Sequence, residues 1–419
     1  MISPSRRSGR GRDAKRRRGG PVIQAAPIIS DRPSPNPSRE REGGSPLALY
    51  VHWPFCVSKC PYCDFNSHVR DTVDQDAWRD ALLADLAHEA ALLPEHRLTS
   101  IFFGGGTPSL MEPASVEAII TAARDHWPVA DDLEITLEAN PNSAEAARFA
   151  DLASAGVNRI SLGLQSFDDA SLAYLGRAHS ASEGLAALAA AQGAVDRVSF
   201  DLIYALPGDD EARWSATLDR ALGLGTEHLS LYQLTIEPGT RFATMVARRE
   251  FEPLDPDTSA SLFELTQART AAAGLPAYEI SNHARPGAES RHNLAYWRYL
   301  EYAGVGPGAH GRRSGQRTVR HKKPENFLSA VARNGHGLVE EEALTRQEAA
   351  HEALVMGLRL AEGIDPAGLA ARIGVDRLVD EDAVARMIGH GLLARDGPIL
   401  RTTQTGRLLL DSILVEVAA

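Results

Sequence analysis

The feature that most constrains the fold is a recurring alternation of short apolar segments with helical stretches from residue 47 onward. Between the first two segments, Trp78, Leu82 and Leu86 follow a helical stripe. Alternation of this kind is typical of repeated βα units. It predicts an α/β fold in which six parallel strands form a partly closed (β/α)6-type barrel. The candidate strands span residues 47–52, 99–103, 133–138, 159–163, 198–203 and 228–233.

Length and composition agree with a large globular protein. The chain has 419 residues, of which 43% are hydrophobic and 24% are charged, enough for two or three domains. No apolar run approaches the roughly 18 residues that a membrane-spanning helix needs. We therefore expect a soluble protein without a transmembrane segment.

All three cysteines lie within eight residues, as Cys56-Val-Ser-Lys-Cys60-Pro-Tyr-Cys63. Three thiolates on one short loop can hold three corners of a cubane iron–sulfur cluster and leave the fourth iron without a protein ligand. A zinc site completed by His52 or His68 is an alternative, although zinc loops usually supply two separated pairs of ligands. A disulfide framework is disfavoured by the odd count, and buried free thiols remain a further alternative.

Other polar motifs follow predicted strands, at the barrel end where ligands usually bind. Gly104-Gly105-Gly106-Thr107 comes directly after the second strand, and its glycines permit close backbone approach to a ligand. An ordinary tight turn would explain the same glycines. Glu138 ends a strand whose polar side chains share one face, where it is either a ligand-binding carboxylate or a solvated edge residue.

The cysteine spacing C-x3-C-x2-C, with Tyr62 before the last cysteine, resembles the signature of the radical S-adenosylmethionine (SAM) proteins. In that superfamily SAM chelates the open iron of a 4Fe–4S cluster, and an electron from the cluster cleaves SAM to a 5'-deoxyadenosyl radical. The resemblance implies both cofactors, which carry the chemistry while the protein binds and orients them.

Five further stretches narrow the resemblance to the oxygen-independent coproporphyrinogen III oxidases and their relatives, the heme chaperones, over about residues 47–419. These stretches are RISLGLQSF at 159–167, LGRAH at 175–179, FDLIYALPG at 200–208, LSLYQLTIEPGT at 229–240 and HNLAYW at 292–297. Carried over by position, the resemblance implies SAM contacts from Tyr50, the backbone around Tyr62, Gly105, Gly106, Thr107, Glu138, Gln165, Arg177, Asp201 and Thr235. Carboxylates suit ribose hydroxyls, and arginine suits a carboxylate.

The branch of this family is indicated by a missing cysteine. The oxidases carry a fourth cysteine two positions after the third, where this chain has Phe65. CPYCDFNSH together with HNLAYW resembles the heme chaperones, which bind heme and deliver it to acceptor proteins. The resemblance implies His292 as an axial heme ligand, with a structural hydrogen-bonding role as the alternative.

The expected function is therefore a heme chaperone with a 4Fe–4S cluster, exchangeable SAM and no catalytic side chain of its own. The alternative is oxidative decarboxylation of coproporphyrinogen III. Heme-accepting proteins, and a reductase or flavodoxin-type electron donor, are the expected partners.

Four regions are predicted along the chain: a disordered basic extension at 1–46, the barrel core at 47–240, a barrel extension at 241–342 and a C-terminal domain at 343–419. Residues 302–310 are rich in glycine and predict a loop near the active face. In the last region, helices near 347–360, 380–390 and 404–417 flank a hairpin signal at Asp396-Gly397, which suggests a winged-helix-like module. It lacks the basic stripe of a specific nucleic-acid binder. The alternatives for the role of this module are a lid, an acceptor-docking surface and simple structural packing.

Residues 1–20 carry eight Lys or Arg against one acid, and residues 21–46 are rich in Pro, Ser and Gly. Such a segment buries too little surface to offset the entropy of ordering, so disorder is expected. The alternatives for this segment are a solvated extension, an upstream translation start, a transit peptide, or an arm that contacts nucleic acid or a membrane surface. Without a signal-peptide apolar segment, and with reduced thiols, the expected location is the cytoplasm.

Overall fold

The computed structural model describes residues 44–419. The disorder predicted for residues 1–43 therefore lies outside the described residues. The first strand begins at Ser45, so residues 45 and 46 are part of the sheet rather than of the extension.

The strands of the described chain, in order, are β1 (Ser45–Trp53), β2 (Phe55–Cys56), β3 (His68–Val69), β4 (His96–Gly105), β5 (Val129–Ala139), β6 (Arg159–Gln165), β7 (Arg197–Tyr204), β8 (His228–Gln233), β9 (Asn282–Ala284), β10 (Glu301–Val305), β11 (His310–Arg313), β12 (Gln316–Arg320), β13 (Leu338–Ala343), β14 (Leu393–Asp396) and β15 (Ile399–Thr402).

The helices, in order, are α1 (Gln75–Leu92), α2 (Pro113–His126), α3 (Ser143–Ala146), α4 (Phe149–Ser154), α5 (Asp169–Tyr174), α6 (Ala181–Ala194), α7 (Glu211–Leu222), α8 (Arg241–Ala247), α9 (Pro256–Ala272), α10 (Arg291–Trp297), α11 (Pro324–Asn334), α12 (Arg346–Gly357), α13 (Pro366–Ile373), α14 (Glu381–Gly389), α15 (Gln404–Arg407) and α16 (Leu410–Val417). No helix in this part of the chain combines the length and apolar character needed to cross a bilayer.

The central sheet has the strand order β13-β12-β11-β10-β1-β4-β5-β6-β7-β8-β9. Strands β10, β1 and β4 to β8 pair in parallel, and β9 and β11 to β13 are antiparallel additions at the two edges. The six predicted strands are the six consecutive parallel strands β1 and β4 to β8. The prediction of a partial, parallel α/β barrel is therefore confirmed.

The alternation within β5 explains how the sheet is covered. Its aliphatic residues Leu133, Ile135 and Leu137 belong to the main hydrophobic core, which also contains the buried faces of the surrounding helices. Glu134 and Glu138 alternate with them and therefore face the barrel interior. One side of the sheet thus supplies stability, and the other supplies a polar interior for a site.

The prediction of a loop over residues 302–310 is wrong for the first half of that segment. Residues Glu301–Val305 form β10, which pairs in parallel with β1. The glycine at 304 is needed because a Cβ there would collide with the backbone carbonyl of His310. Here glycine allows close packing within the sheet rather than breaking it.

A second hydrophobic core unites the C-terminal helices α12, α13, α14 and α16 with the β14–β15 hairpin. The hairpin pairs Asp396 with Ile399 around the predicted turn, and helices begin within one residue of the predicted 347, 380 and 404. The short helix Pro366–Ile373 was not predicted. The exact domain boundaries at residues 240 and 342 stay predictions.

Candidate functional site

Cys56 is the last residue of β2, and Cys60 and Cys63 lie on the loop between β2 and β3. This cysteine loop follows the carboxyl end of β1, and all three cysteines are half-buried. Each sulfur has a polar neighbour. Thr107 Oγ1 donates to Cys56 Sγ at 3.5 Å, and Arg177 Nη1 donates to Cys60 Sγ at 3.4 Å. Cys63 Sγ lies 3.9 Å from a serine hydroxyl. Such donors stabilise thiolates bound to iron and tune the potential of a cluster.

The chemistry of this donor set fits a cubane cluster. Within residues 44–419 no three His, Cys, Asp or Glu side chains converge closely enough to hold one metal ion. A cubane needs no such convergence because each thiolate binds a different iron. Burial raises the pKa of the Cys56 and Cys63 thiols. A bound metal reverses this effect because it deprotonates its thiol ligands.

A cleft of about 190 Å³ opens beside the cysteine loop, at the carboxyl ends of the parallel strands. It is lined by the three cysteines and by eight other residues that the sequence predicted: Tyr62, Gly105, Gly106, Thr107, Glu138, Gln165, Arg177 and Asp201. The fold therefore brings together residues in or directly after strands β4 to β7, the cysteine loop and the segment between α5 and α6. Two predicted residues lie elsewhere. Tyr50 lines a neighbouring cavity, and Thr235 is exposed in the loop after β8, where its hydroxyl donates to Gln233 O at 3.3 Å.

The glycine motif has a clear packing role. Gly105 has φ of +112°, and a Cβ on it would lie 2.6 Å from the ring of His52. A Cβ on Gly106 would lie 2.6 Å from the carbonyl oxygen of Phe55. The amide of Gly106 donates to Trp53 O at 2.7 Å, and that of Thr107 donates to Phe55 O at 2.8 Å. Glycine is thus required to dock the cysteine loop against β4.

Two carboxylates inside the barrel give the cleft its electrostatic character. Burial, reinforced by the charge of Asp201, raises the pKa of Glu138 to about 8. Burial also raises the pKa of Asp201 to about 6. Among residues 44–419 neither side chain has a direct ion-pair partner, and Glu138 accepts a hydrogen bond from the amide of Gly105, at 3.3 Å. A cationic ligand at this point would relieve the cost of ionising both groups.

Two buried polar atoms in the cleft, Arg177 Nε and Gln165 Oε1, have no hydrogen-bond partner in the described part of the chain. Gln165 also has φ of +65°, an uncommon backbone conformation for a residue with a side chain. Buried polar groups are normally satisfied, so these two atoms indicate a missing polar ligand. A zwitterionic, hydroxyl-bearing molecule such as SAM fits both the unpaired atoms and the two carboxylates.

Asn140 belongs to the same cleft but was not among the predicted residues. Its Oδ1 accepts from Arg177 Nη2 at 2.6 Å, and its Nδ2 donates to Thr107 Oγ1 at 2.9 Å. It thereby joins the two residues that donate to cysteine sulfurs. Its place two residues after Glu138, at the end of β5, was the signal in the sequence.

A second cavity of about 630 Å³ adjoins the cleft and shares Phe65, Gly105 and Glu138 with it. Its wall combines aromatic rings, cations and two imidazoles: Tyr50, Tyr296, Trp297, Tyr302, Arg312, Lys322, His52 and His310. Of these, Tyr50 was predicted to contact SAM, Tyr296 and Trp297 belong to the HNLAYW motif that resembles the heme chaperones, and Tyr302 and His310 belong to the segment predicted to lie near the active face. No sequence motif indicated His52, Arg312 or Lys322.

His292 lies in α10 and does not line this cavity. The side chain is 1% exposed, and Phe102 stacks on it at 4.8 Å between ring centroids. Its Nδ1 is 3.1 Å from Ser100 Oγ, and its Nε2 is 2.7 Å from Tyr296 OH. Both ring nitrogens are therefore engaged. The structure favours the hydrogen-bonding alternative, because ligation of heme by His292 would require the ring to leave a bonded partner.

Comparison with known families agrees with this arrangement. The Radical SAM superfamily matches residues 50–221, and the HemN C-terminal domain matches residues 344–409. Among solved structures, that of coproporphyrinogen III oxidase (HemN) from Escherichia coli, described as a radical SAM enzyme, is similar with a TM-score of 0.74. The similarity covers 89% of this chain and 90% of that one at 24% identity, and it supports the fold. The fold and the cysteine-lined cleft are those of a radical SAM protein.

Relatives over nearly the full length narrow this class. The chain is 39% identical over 401 residues to the mouse "Radical S-adenosyl methionine domain-containing protein 1, mitochondrial". This similarity covers 91% of this chain and 88% of the mouse protein. It is 37% identical over 378 residues to the "Heme chaperone HemW" of Escherichia coli K12, and this similarity covers 88% of this chain and 97% of the relative. The "Heme chaperone HemW" of Mycobacterium tuberculosis H37Rv is 36% identical to this chain over 399 residues, and this similarity covers 94% of this chain and 98% of the relative. The chain belongs to the HemW-related family of radical SAM proteins, and membership implies a 4Fe–4S cluster and SAM.

Proposed function

We propose that this protein is a heme chaperone that binds heme, transfers it to acceptor proteins, and carries a 4Fe–4S cluster with exchangeable SAM. The bacterial relatives named heme chaperone support this function. So does Phe65, which stands where the oxidases of the wider family carry a fourth cysteine.

The observation that carries the proposal is the second cavity. Its volume of about 630 Å³ is within the roughly 300–1,000 Å³ typical of pockets for small organic ligands. Flat aromatic side chains suit the faces of a macrocycle, and the guanidinium of Arg312 and the ammonium of Lys322 suit two propionates. An aromatic wall with cations is the complement of an amphipathic, dianionic tetrapyrrole.

The cleft next to this cavity is the proposed cofactor site. Cys56, Cys60 and Cys63 would hold three irons of the cluster, and Glu138 and Asp201 would face the positive groups of SAM. Arg177, already bonded to Cys60 and Asn140, has its Nε free to donate to the ligand. Together the cofactors would supply a low-potential electron and a cleavable sulfonium. The protein's own part is to bind, orient and shield them from water.

The C-terminal domain reaches the heme cavity through Met356 of α12. A domain that supplies part of the wall can open or close the cavity, which supports a role as a lid or as a docking surface for an acceptor. The acceptor and an electron donor of reductase or flavodoxin type remain proposed partners. The cytoplasm is the proposed location, although the names of the mouse, bovine and zebrafish relatives include "mitochondrial".

The test separates chaperone from oxidase in one preparation. The anaerobically reconstituted protein is titrated with heme, and a second sample is incubated with SAM, reductant and coproporphyrinogen III. We expect saturable uptake of one heme per chain, transfer to an apo-hemoprotein, and no protoporphyrinogen. Multiple turnovers of decarboxylation would support the oxidase instead. Lack of saturable heme binding would overturn the proposal.

A further inference from the structure

The heme cavity contains two imidazoles, but only one of them is free to bind iron. His52 Nε2 donates to the carbonyl oxygen of Asn66 at 2.9 Å, so its Nδ1 must accept from Tyr50 OH, also at 2.9 Å. The His52 side chain is 5% exposed and packs against Gly105, where a Cβ would lie 2.6 Å from the imidazole ring. His52 therefore has no lone pair available without breaking two hydrogen bonds.

His310 differs from the buried, hydrogen-bonded His52 and His292 in both exposure and hydrogen bonding. It is exposed, lines the cavity, and its side chain has no hydrogen-bond partner within residues 44–419. It is the first residue of β11, where it pairs with Val319 of β12. Its backbone is thus held by the sheet while its ring remains available.

The turn before His310 is fixed to the cysteine loop. Asn66 Nδ2 donates to Pro307 O and to Lys322 O, both at 2.9 Å. Gly308 has φ of +83°, and a Cβ there would collide with the Asn66 side chain. The loop that carries the cluster ligands therefore positions the segment that carries His310. A preorganised ligand loses less conformational entropy on binding than a mobile one.

We propose that His310, rather than His292, is the axial protein ligand of heme iron, with Arg312 and Lys322 placed beside it to receive the propionates. This inference rests on the proposed heme-binding function. His310 and Arg312 are two residues apart in β11, so their side chains leave the same face of the sheet. A neutral imidazole donates a nitrogen lone pair to the iron, and no oxidation or reduction is involved.

The charges around the ring favour this role. Partial burial, with a contribution from the ammonium of Lys322, lowers the pKa of His310 and keeps the imidazole neutral near pH 7. Lys322 is exposed and has no ion-pair partner among the described residues, so it is available to an anionic group of the ligand. Arg312 is held over the ring of Tyr299 at 3.7 Å, which fixes its guanidinium at the cavity wall.

The experiment compares heme titrations of the intact, anaerobically reconstituted protein and three variants, His310→Ala, His292→Ala and His390→Ala. His390 is exposed in the C-terminal domain and serves as the matched control for loss of an imidazole. We expect His310→Ala to shift the Soret band and to weaken heme binding about tenfold or more, while iron and sulfide content is unchanged. Added free imidazole should restore the original Soret position. His390→Ala should behave as the wild type.

The outcomes separate this inference from the function on which it depends. If the wild type binds heme and His310→Ala retains its Soret position and affinity, His310 is not the ligand. A shifted Soret band in His292→Ala alone would return the assignment to the residue that the sequence predicted. If the wild type takes up no heme, the proposed function fails as well.

Discussion

A buried ionic cluster between α1 and β12 makes the sharpest stability prediction. The side chain of Arg320 is fully buried, with Nε 3.1 Å from Asp85 Oδ2 and Nη2 2.6 Å from Glu89 Oε1, and both acids are fully buried as well. Asp85 also accepts from the amides of Gly306 and Gly337, each at 3.0 Å. The cluster therefore connects α1 to β12 and to the turn that precedes His310.

The perturbation is Arg320→Met, which keeps an unbranched side chain but removes the guanidinium. Asp85 then loses its cationic partner, and Glu89 keeps only Arg313, at 2.7 Å. Removing one partner of a buried ion pair typically costs about 3–5 kcal/mol, because an uncompensated charge stays buried. The matched control is Arg317→Met in the same strand, whose pair with Glu342 has side chains 47% and 63% exposed. Exposed pairs contribute about 0–1 kcal/mol.

The assay is urea unfolding of both variants and the wild type at neutral pH, followed by far-ultraviolet circular dichroism. We expect Arg320→Met to unfold at a clearly lower urea concentration, and Arg317→Met to unfold close to the wild type. Lower heme affinity in Arg320→Met would follow because the turn at Gly306 loses its anchor. Equal stability of the two variants would refute the reasoning, since it would mean that Asp85 and Glu89 need no buried cation.

Three further predictions concern the cleft. Cys60→Ala should abolish assembly of the cubane, and full iron and acid-labile sulfide content in that variant would refute the cluster assignment. Thr107→Val removes the donor to Cys56 Sγ and should lower the cluster reduction potential in an electron paramagnetic resonance titration, because hydrogen bonds to sulfur favour the reduced cluster; an unchanged potential would contradict this. The raised pKa of Glu138, about 8, means that the cofactor-free protein loses stability as pH rises from about 4.5 through 8. Glu138→Gln should flatten this decline in thermal unfolding, whereas parallel pH profiles would argue against it; Asp201 contributes in the same direction.

Much of the fold was predictable because the strand signals are local. Alternation in residues 133–138 identifies β5, and the Asp396-Gly397 pair identifies the C-terminal hairpin. Strand β10 was missed because Gly304, Gly306 and Gly308 follow one another closely, as glycines do in a loop. The reason for Gly304 is the approach of the His310 carbonyl, a contact that only the folded sheet creates.

The position of His292 illustrates the limit of a family motif. His292 and Tyr296 are four residues apart in one helix, so they share a face, and the hydroxyl of Tyr296 meets the imidazole. The sequence left a structural hydrogen-bonding role open for His292, and this contact favours that role. Trp297, the next residue, lies on a different face and lines the second cavity instead.

The two cavities differ in how far the sequence could define them. Glu138, Gln165 and Asp201 lie in three recognisable parallel strands of the cleft, so the geometry of a parallel barrel is enough to predict that these residues meet. The second cavity depends on contacts such as Asn66 with Pro307, which are 241 residues apart and which no periodicity predicts. Phe65 is 58% exposed at the wall that both cavities share. A bulky apolar side chain replaces a thiol at this junction, so the residue that distinguishes the two branches of the family also borders both proposed ligands.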